Sequence, residues 1–208
     1  MQDSSNISLT ISVVCYHSAE EELCALLVSL LASLHTLKSS FDVSATTLYL
    51  IDNSETHSLN LGSFDGFSAE MESLEVELRL LQGHGNVGYG SAHNLAINKL
   101  GSDYHLILNP DVVLESGCLS EGITYLENNQ SVVVASPYAE DQQGQKQYLC
   151  KRYPSLLTFF VRGFLPASFR KLFKHRLARY EMHDLPETMP TDSVPIVSGC
   201  FMLCRTDK

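Results

Sequence analysis

The chain has 208 residues, of which 44% are apolar, 18% charged and 9% aromatic. This balance excludes disordered, collagen-like and coiled-coil chains, and the length fits a single domain over residues 1–208. Fourteen Lys and Arg against 24 Asp and Glu give a net charge of −10, which argues against general binding to nucleic acid.

The positive charge is concentrated in one segment. Residues 151–179 contain eight cations and no acid, and so carry a charge of +8. The other six cations and all 24 acids lie in the rest of the chain, which carries −18. The eight cations of this segment are Lys151, Arg152, Arg162, Arg170, Lys171, Lys174, Arg176 and Arg179.

The ends and the cysteines bear on localisation. Met1–Ser8 is polar and lacks the basic-then-apolar pattern of a signal peptide, and no apolar run reaches the roughly 18 residues of a membrane span. The six cysteines form no C-x-x-C pair, and several lie in apolar runs, which favours reduced thiols over a zinc site. These features predict a cytoplasmic protein.

Strands and helices alternate from the start of the chain. Leu9–Tyr16 is an uncharged, β-branched apolar run, as expected for a strand buried on both faces. Apolar residues recur at helical spacing over Glu20–Leu37, with acids in the first turn. A second buried strand, Thr46–Ile51, follows and stops at Asp52.

The alternation continues after a loop. Residues 55–68 are rich in Ser, Gly and Asn and read as loop. Further elements are predicted at Leu74–Leu81 (strand), Ala92–Leu100 (helix), Tyr104–Leu108 (strand), Gly117–Leu126 (helix) and Ser131–Ser136 (strand). Repeated strand-to-helix passages predict an α/β fold with a mostly parallel central sheet flanked by helices.

Polar clusters follow four of these strands. They are Tyr16-His17, Asp52-Asn53-Ser54, the glycine-rich residues 83–90 and Asn109-Pro110-Asp111. In open parallel sheets the ligand lies beyond the carboxyl ends of the strands, so we expect the four clusters to meet at one crevice.

The glycine-rich loop permits two interpretations. Residues 83–88 spell G-x-G-x-x-G between a strand and a helix, the context of a dinucleotide site, which would make the protein a dinucleotide-dependent oxidoreductase. That fingerprint normally occupies the first strand-to-helix turn, and this one does not. The alternative is that the glycines allow a tight turn close to a neighbour or ligand.

Asp111 is the acid whose position suggests chemistry. A carboxylate aimed into a crevice repels a diphosphate unless Mg²⁺ or Mn²⁺ takes oxygen ligands from both. The alternatives are a Pro-Asp turn or a cap of the following helix.

The other polar ends are ambiguous one by one. Asp52 fits an acceptor for a pyrimidine imide, or an Asx-turn. Tyr16 fits a stacking surface for a base, or packing, and His17 fits a phosphate contact or plain exposure. Together they suggest a nucleotide-sugar donor, with its base between Tyr16 and Asp52 and its diphosphate held through a cation on Asp111.

These stretches resemble the family 2 glycosyltransferases of the GT-A fold, and more narrowly the rhamnosyltransferases of bacterial O-antigen and cell-wall polysaccharide synthesis. Five segments carry the resemblance, in order and at similar spacings: 13–18 (VVCYHS), 51–54 (IDNS), 86–90 (NVGYG) with Asn94, 106–112 (LILNPDV) and 197–203 (VSGCFML).

The resemblance implies roles for particular residues. Tyr16 and His17 would contact the donor, Asp52 and Asn53 its base, and Asn86, Gly88 and Asn94 the nucleotide. Asn109 stands where such enzymes commonly have the first acid of Asp-x-Asp, and Asp111 keeps the metal-binding acid. The implied cofactor is Mg²⁺ or Mn²⁺, and the implied donor is typically dTDP-rhamnose.

The resemblance also implies the reaction, an inverting transfer of a hexose such as rhamnose to a glycan or a polyprenyl-diphosphate-linked acceptor. Similar enzymes have an acidic stretch after the last matching strand, where the general base lies, so the base is expected beyond Lys208 and the fold is expected to be truncated at its C-terminus. The alternative is a non-catalytic module of the same fold that binds a nucleotide sugar.

Residues 155–180 form the basic part of the chain. Two helices are predicted there, with Pro166 near the start of the second. In that second helix an apolar stripe runs along Phe169, Leu172, Phe173, Leu177 and Tyr180. A basic amphipathic helix suits peripheral contact with the inner face of the cytoplasmic membrane, and the alternative is a helix that packs on the sheet.

Overall fold

The computed structural model describes residues 6–56, 59–99, 101–166, 169, 171–186, 190–191 and 194–206. The chain divides into two compact units. The first comprises residues 1–135 and 199–208, and the second comprises residues 136–198.

The strands are β1 Ile7–Cys15, β2 Val43–Asp52, β3 Val76–Leu81, β4 Tyr104–Leu108, β5 Val134–Ala135, β6 Ala139–Glu140, β7 Lys146–Gln147, β8 Cys150–Lys151, β9 Ile196–Val197 and β10 Phe201–Arg205. The helices are α1 Glu20–Ser40, α2 Ser68–Ser73, α3 Tyr89–Ile97, α4 Cys118–Asn128, α5 Leu156–Phe164 and α6 Lys174–Tyr180. Two 3₁₀ helices, Leu61–Phe67 and Lys171–Phe173, complete the described elements.

The first unit is built on a six-stranded sheet in the order β3-β2-β1-β4-β10-β5. The strands β1 to β4 are parallel, whereas β10 is antiparallel to both β4 and β5. The mostly parallel sheet predicted from the sequence is therefore confirmed. Its antiparallel member, β10, is contributed by the end of the chain.

Helices cover both faces of the sheet, which explains the nearly continuous apolar runs of β1 and β2. On one face, Leu9, Ile11 and Val13 of β1 pack in a cluster with the leucines of α1 and α4. On the other face, Val14 packs with Ala92 and neighbouring apolar residues of α3 and β2. Successive residues of one strand thus enter opposite layers of the core.

Helix α1 is long and apolar enough, by length and composition, to pass a test for a membrane span. Its seven leucines are completely buried in the core cluster of the first unit: Leu23, Leu26, Leu27, Leu30, Leu31, Leu34 and Leu37. Packing against the sheet therefore accounts for its apolar composition.

Some predicted bounds differ from the structure. The fifth strand is only Val134–Ala135 rather than 131–136, because the Val132 amide closes a turn onto the carbonyl of Asn129 and only residues 134 and 135 are in register with β10. The predicted loop contains the 3₁₀ helix Leu61–Phe67, and α3 begins at Tyr89 instead of Ala92. Its predicted end, Leu100, lies outside the described residues.

The second unit holds two short antiparallel pairs, β6 with β7 and β8 with β9, and the helices α5 and α6. The predicted second basic helix is split, since Lys171–Phe173 is 3₁₀ and α6 begins at Lys174. Residues 167, 168 and 170 lie outside the described residues.

Candidate functional site

The carboxyl ends of β1, β2 and β4 point to the same edge of the sheet, because these strands are parallel and β1 lies between the other two. Cys15 is in register with Asp52, and Val13 is in register with Leu108. Neighbouring strands lie about 4.8 Å apart, so the ends of β2 and β4 are separated by roughly 10 Å. The strand-end residues Tyr16, Asp52 and Asn109 therefore share one edge.

Asp52 is buried at the end of β2 and organises the loop that follows it. Its Oδ1 accepts a hydrogen bond from the Ser54 amide and its Oδ2 accepts one from the Leu59 amide, both at 3.1 Å. The bond from the Ser54 amide is the contact expected of an Asx-turn at Asp52. Recognition of a base by Asp52 stays a prediction. Burial and the nearby Asp52 carboxylate raise the pKa of the Cys15 thiol to about 12, so that thiol is neutral.

Tyr16 and His17 extend from the end of β1 and share the carboxylate of Glu55, which is not among the residues predicted from the sequence. The Tyr16 ring is 49% exposed, and its hydroxyl donates to Oε1 of Glu55 at 3.3 Å. His17 Nε2 lies 3.3 Å from Oε2 of the same carboxylate. The Glu55 pKa is lowered by its own backbone amide first and by His17 and Tyr16 after that. Its position directly after Ser54 was the available signal.

The glycine-rich loop is attached to β2 by two asparagine side chains. Asn53, which is buried, donates from Nδ2 to Oδ1 of Asn86 at 3.1 Å, and its own Oδ1 accepts the Val87 amide at 3.0 Å. Asn86 Oδ1 also accepts the Gly88 amide at 3.0 Å. Two of the predicted site residues thus bind each other and fix the loop.

Gly88 then allows the chain to turn into α3. Its φ of 84° lies in the left-handed region, which side chains with a Cβ rarely adopt. It is also the N-cap of α3 and brings no side chain to cap the first turn. The first amides of α3 have no hydrogen-bond partner among the described residues, so water or an anion can accept from them. The exposed side chain of Asn94 lies on the same helix.

Tyr89 links the start of α3 to the ends of β4 and β10. Its hydroxyl lies 2.6 Å from the carbonyl oxygen of Gly199 and 3.0 Å from Oδ1 of Asn109. The Asn109 amide in turn donates to the carbonyl of Cys200 at 3.0 Å. Burial raises the Tyr89 pKa to about 12, with smaller contributions from Cys200 and Asp111. Asp111 is thus close enough to affect this phenol electrostatically.

Removing the Tyr89 hydroxyl tests this link. We expect Tyr89→Phe to lower the free energy of unfolding by about 1–2 kcal/mol, because the carbonyl of Gly199 and the amide oxygen of Asn109 lose their shared donor. Urea unfolding measures the change. Tyr138→Phe is the matched control, since its hydroxyl bonds to Glu140 on the surface, and a loss of equal size there would contradict the assignment.

Asp111 is exposed, and within the described part of the chain its carboxylate forms no hydrogen bond or ion pair. The described residues contain no group of three or more His, Cys, Asp or Glu side chains that could hold a metal ion. A single exposed oxygen ligand suits Mg²⁺ or Mn²⁺, which keep several waters and are commonly bound through one or two carboxylates plus substrate phosphates. Asp111 therefore fits such an ion as one ligand of a set that the phosphates complete.

The comparisons with known proteins agree with this architecture. The family model for glycosyl transferase family 2 matches residues 10–207, and because that match covers nearly the whole chain, the chain belongs to this family. No match was found among curated proteins.

Several solved structures share the fold. The mannosyltransferase PcManGT from Pyrobaculum calidifontis, in complex with GDP-Man and Mn²⁺, is 14% identical with a TM-score of 0.56, over 98% of this chain and 46% of that one. S. aureus TarS 1-349 is 17% identical with a TM-score of 0.52, over 89% of this chain and 52% of that one. The complex of TarS 1-349 with UDP-GlcNAc is 17% identical with a TM-score of 0.50, over 84% of this chain and 48% of that one.

These similarities establish the fold. The first unit and its parallel sheet belong to the GT-A fold, as the resemblance implied. The chain spans about half the length of the solved structures it matches.

Proposed function

We propose that this chain binds the donor of an inverting family 2 glycosyltransferase, which transfers a hexose from a nucleoside diphosphate sugar to a hydroxyl of a glycan or lipid-linked acceptor. One observation carries the proposal. The exposed carboxylate of Asp111, without a partner among the described residues, shares a sheet edge with Asp52 at a distance of two strands. That span fits a nucleoside between them and a diphosphate at Asp111.

The half-exposed ring of Tyr16 supplies a stacking surface for the base, and the buried Asp52 and Asn53 lie at the end of the neighbouring strand β2. We assign Asp52 the role of acceptor for a base imide, since each oxygen of a carboxylate can accept more than one hydrogen bond. The uncapped first turn of α3 after Gly88 offers backbone amides to a phosphate, with Asn86 and Asn94 nearby on the loop and the helix.

The proposed metal is Mg²⁺ or Mn²⁺, held by Asp111 with Asn109 beside it. Bound there, the ion would offset the charge of the leaving nucleoside diphosphate. PcManGT was solved with Mn²⁺, which supports this choice of ion for the same fold. Asn109 is engaged with Tyr89, so its role is to hold the turn that presents Asp111.

The specific donor that we propose is dTDP-rhamnose. PcManGT and TarS were solved with GDP-Man and UDP-GlcNAc, so the fold accommodates more than one base and sugar. We place the protein in the cytoplasm, because all six cysteines are free thiols and such thiols persist in a reducing compartment.

Nucleotide binding tests the proposal. We expect thermal shifts with at least one of dTDP, UDP and GDP, and none with NAD, because the proposed donor is a nucleoside diphosphate sugar. Affinity for the bound diphosphate should rise about tenfold with Mn²⁺ in the wild type. Asp111→Asn should abolish that rise, because it removes the charged ligand but keeps the shape.

Asp65→Asn is the matched control, since Asp65 is an exposed acid of the same unit on the 3₁₀ helix Leu61–Phe67. It should keep the response to Mn²⁺. Equal, metal-independent binding by the wild type and Asp111→Asn would remove Asp111 from its role, and binding of NAD alone would overturn the donor assignment.

A further inference from the structure

Helix α5 of the second unit has an exposed apolar side. Its exposed side chains include Leu156 at 90%, Phe159 at 63%, Phe160 at 53% and Phe164 at 79% of their full accessible area. These positions follow helical spacing and form one continuous face.

The opposite side of α5 is buried. Thr158 and Val161 are buried there, and a polar side chain is thus inside while the aromatic rings are outside. Phe160 and Phe164 stack on each other at 5.6 Å between ring centroids, so the two rings form one contiguous patch. A surface helix of a globular protein normally shows the reverse arrangement. The exposed apolar face of α5 therefore calls for a partner.

Positive charge borders this face. Ser155 caps α5 by accepting the Thr158 amide at 3.2 Å, and Nη2 of Arg176 donates to the same Ser155 hydroxyl at 2.9 Å. A cation of α6 is thereby held at the first turn of α5. Lys174 and Arg179 on α6 are exposed as well.

The charge of the surrounding segment selects the partner. Residues 151–179 carry eight cations and no acid, whereas the rest of the chain carries −18. Two copies of a chain with a net charge of −10 repel each other, but an anionic surface is attracted by this segment alone. A lipid bilayer with anionic headgroups offers both negative charge and an apolar layer a few ångströms below it, which three phenylalanine rings can enter.

We propose that α5 docks this protein on an anionic lipid surface, with Phe159, Phe160 and Phe164 in the headgroup–acyl boundary and α6 among the headgroups. The docking face differs from the one that the sequence predicts. That prediction places the apolar stripe on the second basic helix, whereas the exposed rings belong mainly to the first. The proposal does not depend on donor binding.

Sedimentation of the 208-residue protein with phospholipid vesicles tests it. We expect binding to vesicles that contain an anionic lipid at low salt, weaker binding at high salt, and little binding to zwitterionic vesicles. The triple variant Phe159→Ser, Phe160→Ser and Phe164→Ser should lose about 1,000-fold in affinity, at roughly tenfold for each of the three inserted rings. Because the rings are exposed, this variant should keep the wild-type melting temperature.

Matched variants separate the apolar and the charged contributions. The control triple Val28→Ser, Val113→Ser and Val133→Ser removes exposed apolar residues of the first unit and should bind like wild type. Lys174→Gln with Arg179→Gln should weaken binding about fivefold for each charge removed, whereas Lys99→Gln should not.

Three results would overturn the proposal. The first is no binding of the wild type to anionic vesicles at low salt, and the second is equal binding by the wild type and the triple phenylalanine variant. The third is a wild-type dimer in sedimentation velocity that the triple phenylalanine variant abolishes, because a second copy would then occupy the exposed face of α5. Thermal shifts with dTDP, UDP and GDP in the phenylalanine variant keep this test separate from the donor assignment, because they should match those of the wild type.

Discussion

Acidification from pH 7 to pH 4.5 is expected to lower the free energy of unfolding by ~3–5 kcal/mol through two buried histidines. His93 of α3 and His105 of β4 are each 2% exposed, and the hydroxyl of Ser12 on β1 joins them. It lies 2.7 Å from Nδ1 of His93 and 3.0 Å from Nε2 of His105. Their other ring nitrogens have no partner in the described residues.

Burial lowers the pKa of both imidazoles from 6.5 to about 4, and the proximity of His105 adds to the effect at His93. In the unfolded chain they take up protons below about pH 6.5. The folded protein binds fewer protons than the unfolded one between pH 6.5 and 4, so its stability falls as the pH falls through this window. Above about pH 7.5 both imidazoles are unprotonated in the folded and the unfolded chain, so the pair should contribute no pH dependence there.

Urea unfolding at several pH values measures the effect. His93→Asn places an amide where Nδ1 lies, and His105→Gln places one where Nε2 lies, so the double variant can still bond to Ser12 without titrating. We expect it to lose most of the slope between pH 6.5 and 4.5. His35→Asn, at an exposed position of α1, should keep the wild-type slope. An unchanged slope in the double variant would contradict the assignment.

We expect the second large effect for Asn53→Asp. This substitution should lower the free energy of unfolding by ~3 kcal/mol and weaken nucleotide binding at least about tenfold. The substitution keeps the acceptor for the Val87 amide. It replaces the Nδ2 donor, which lies 3.1 Å from Oδ1 of Asn86, with a carboxylate oxygen, so that two acceptors face each other. It also buries a negative charge. The glycine-rich loop should therefore detach from β2.

Asn60→Asp is the control for this prediction. The Asn60 side chain is exposed and accepts the Gly62 amide at the start of the 3₁₀ helix, and a carboxylate serves that purpose equally well. Urea unfolding and calorimetry of diphosphate binding provide the two readouts. Wild-type stability and affinity in Asn53→Asp would show that the bond between Asn53 and Asn86 does not hold the loop.

The fold was readable from the sequence because its signals are local. Uncharged β-branched runs such as Leu9–Tyr16 and leucines at helical spacing in α1 predict buried strands and a covering helix within single segments. Strands that alternate with helices further predict a parallel sheet, and a parallel sheet brings Asp52 and Asp111 to one edge. These residues were therefore identifiable from the sequence.

Several features escaped sequence reasoning because they depend on contacts between distant segments. Glu55 joins Tyr16 and His17 only because β1 and β2 end side by side. Ser12, His93 and His105 lie in three separate elements that no local pattern connects. The bond between Asn53 and Asn86 likewise depends on how the loop folds back on β2.

The amino-acid sequence by itself determined the α/β class, the strand ends that carry the polar residues, and the position of the positive charge along the chain. Those properties follow from residue type and spacing within one segment. Only the tertiary structure decided which polar side chains satisfy each other, which histidines are kept neutral, and that α5 turns its phenylalanines outward. Burial and pairing depend on which segments pack together, and periodicity within a segment does not contain that information.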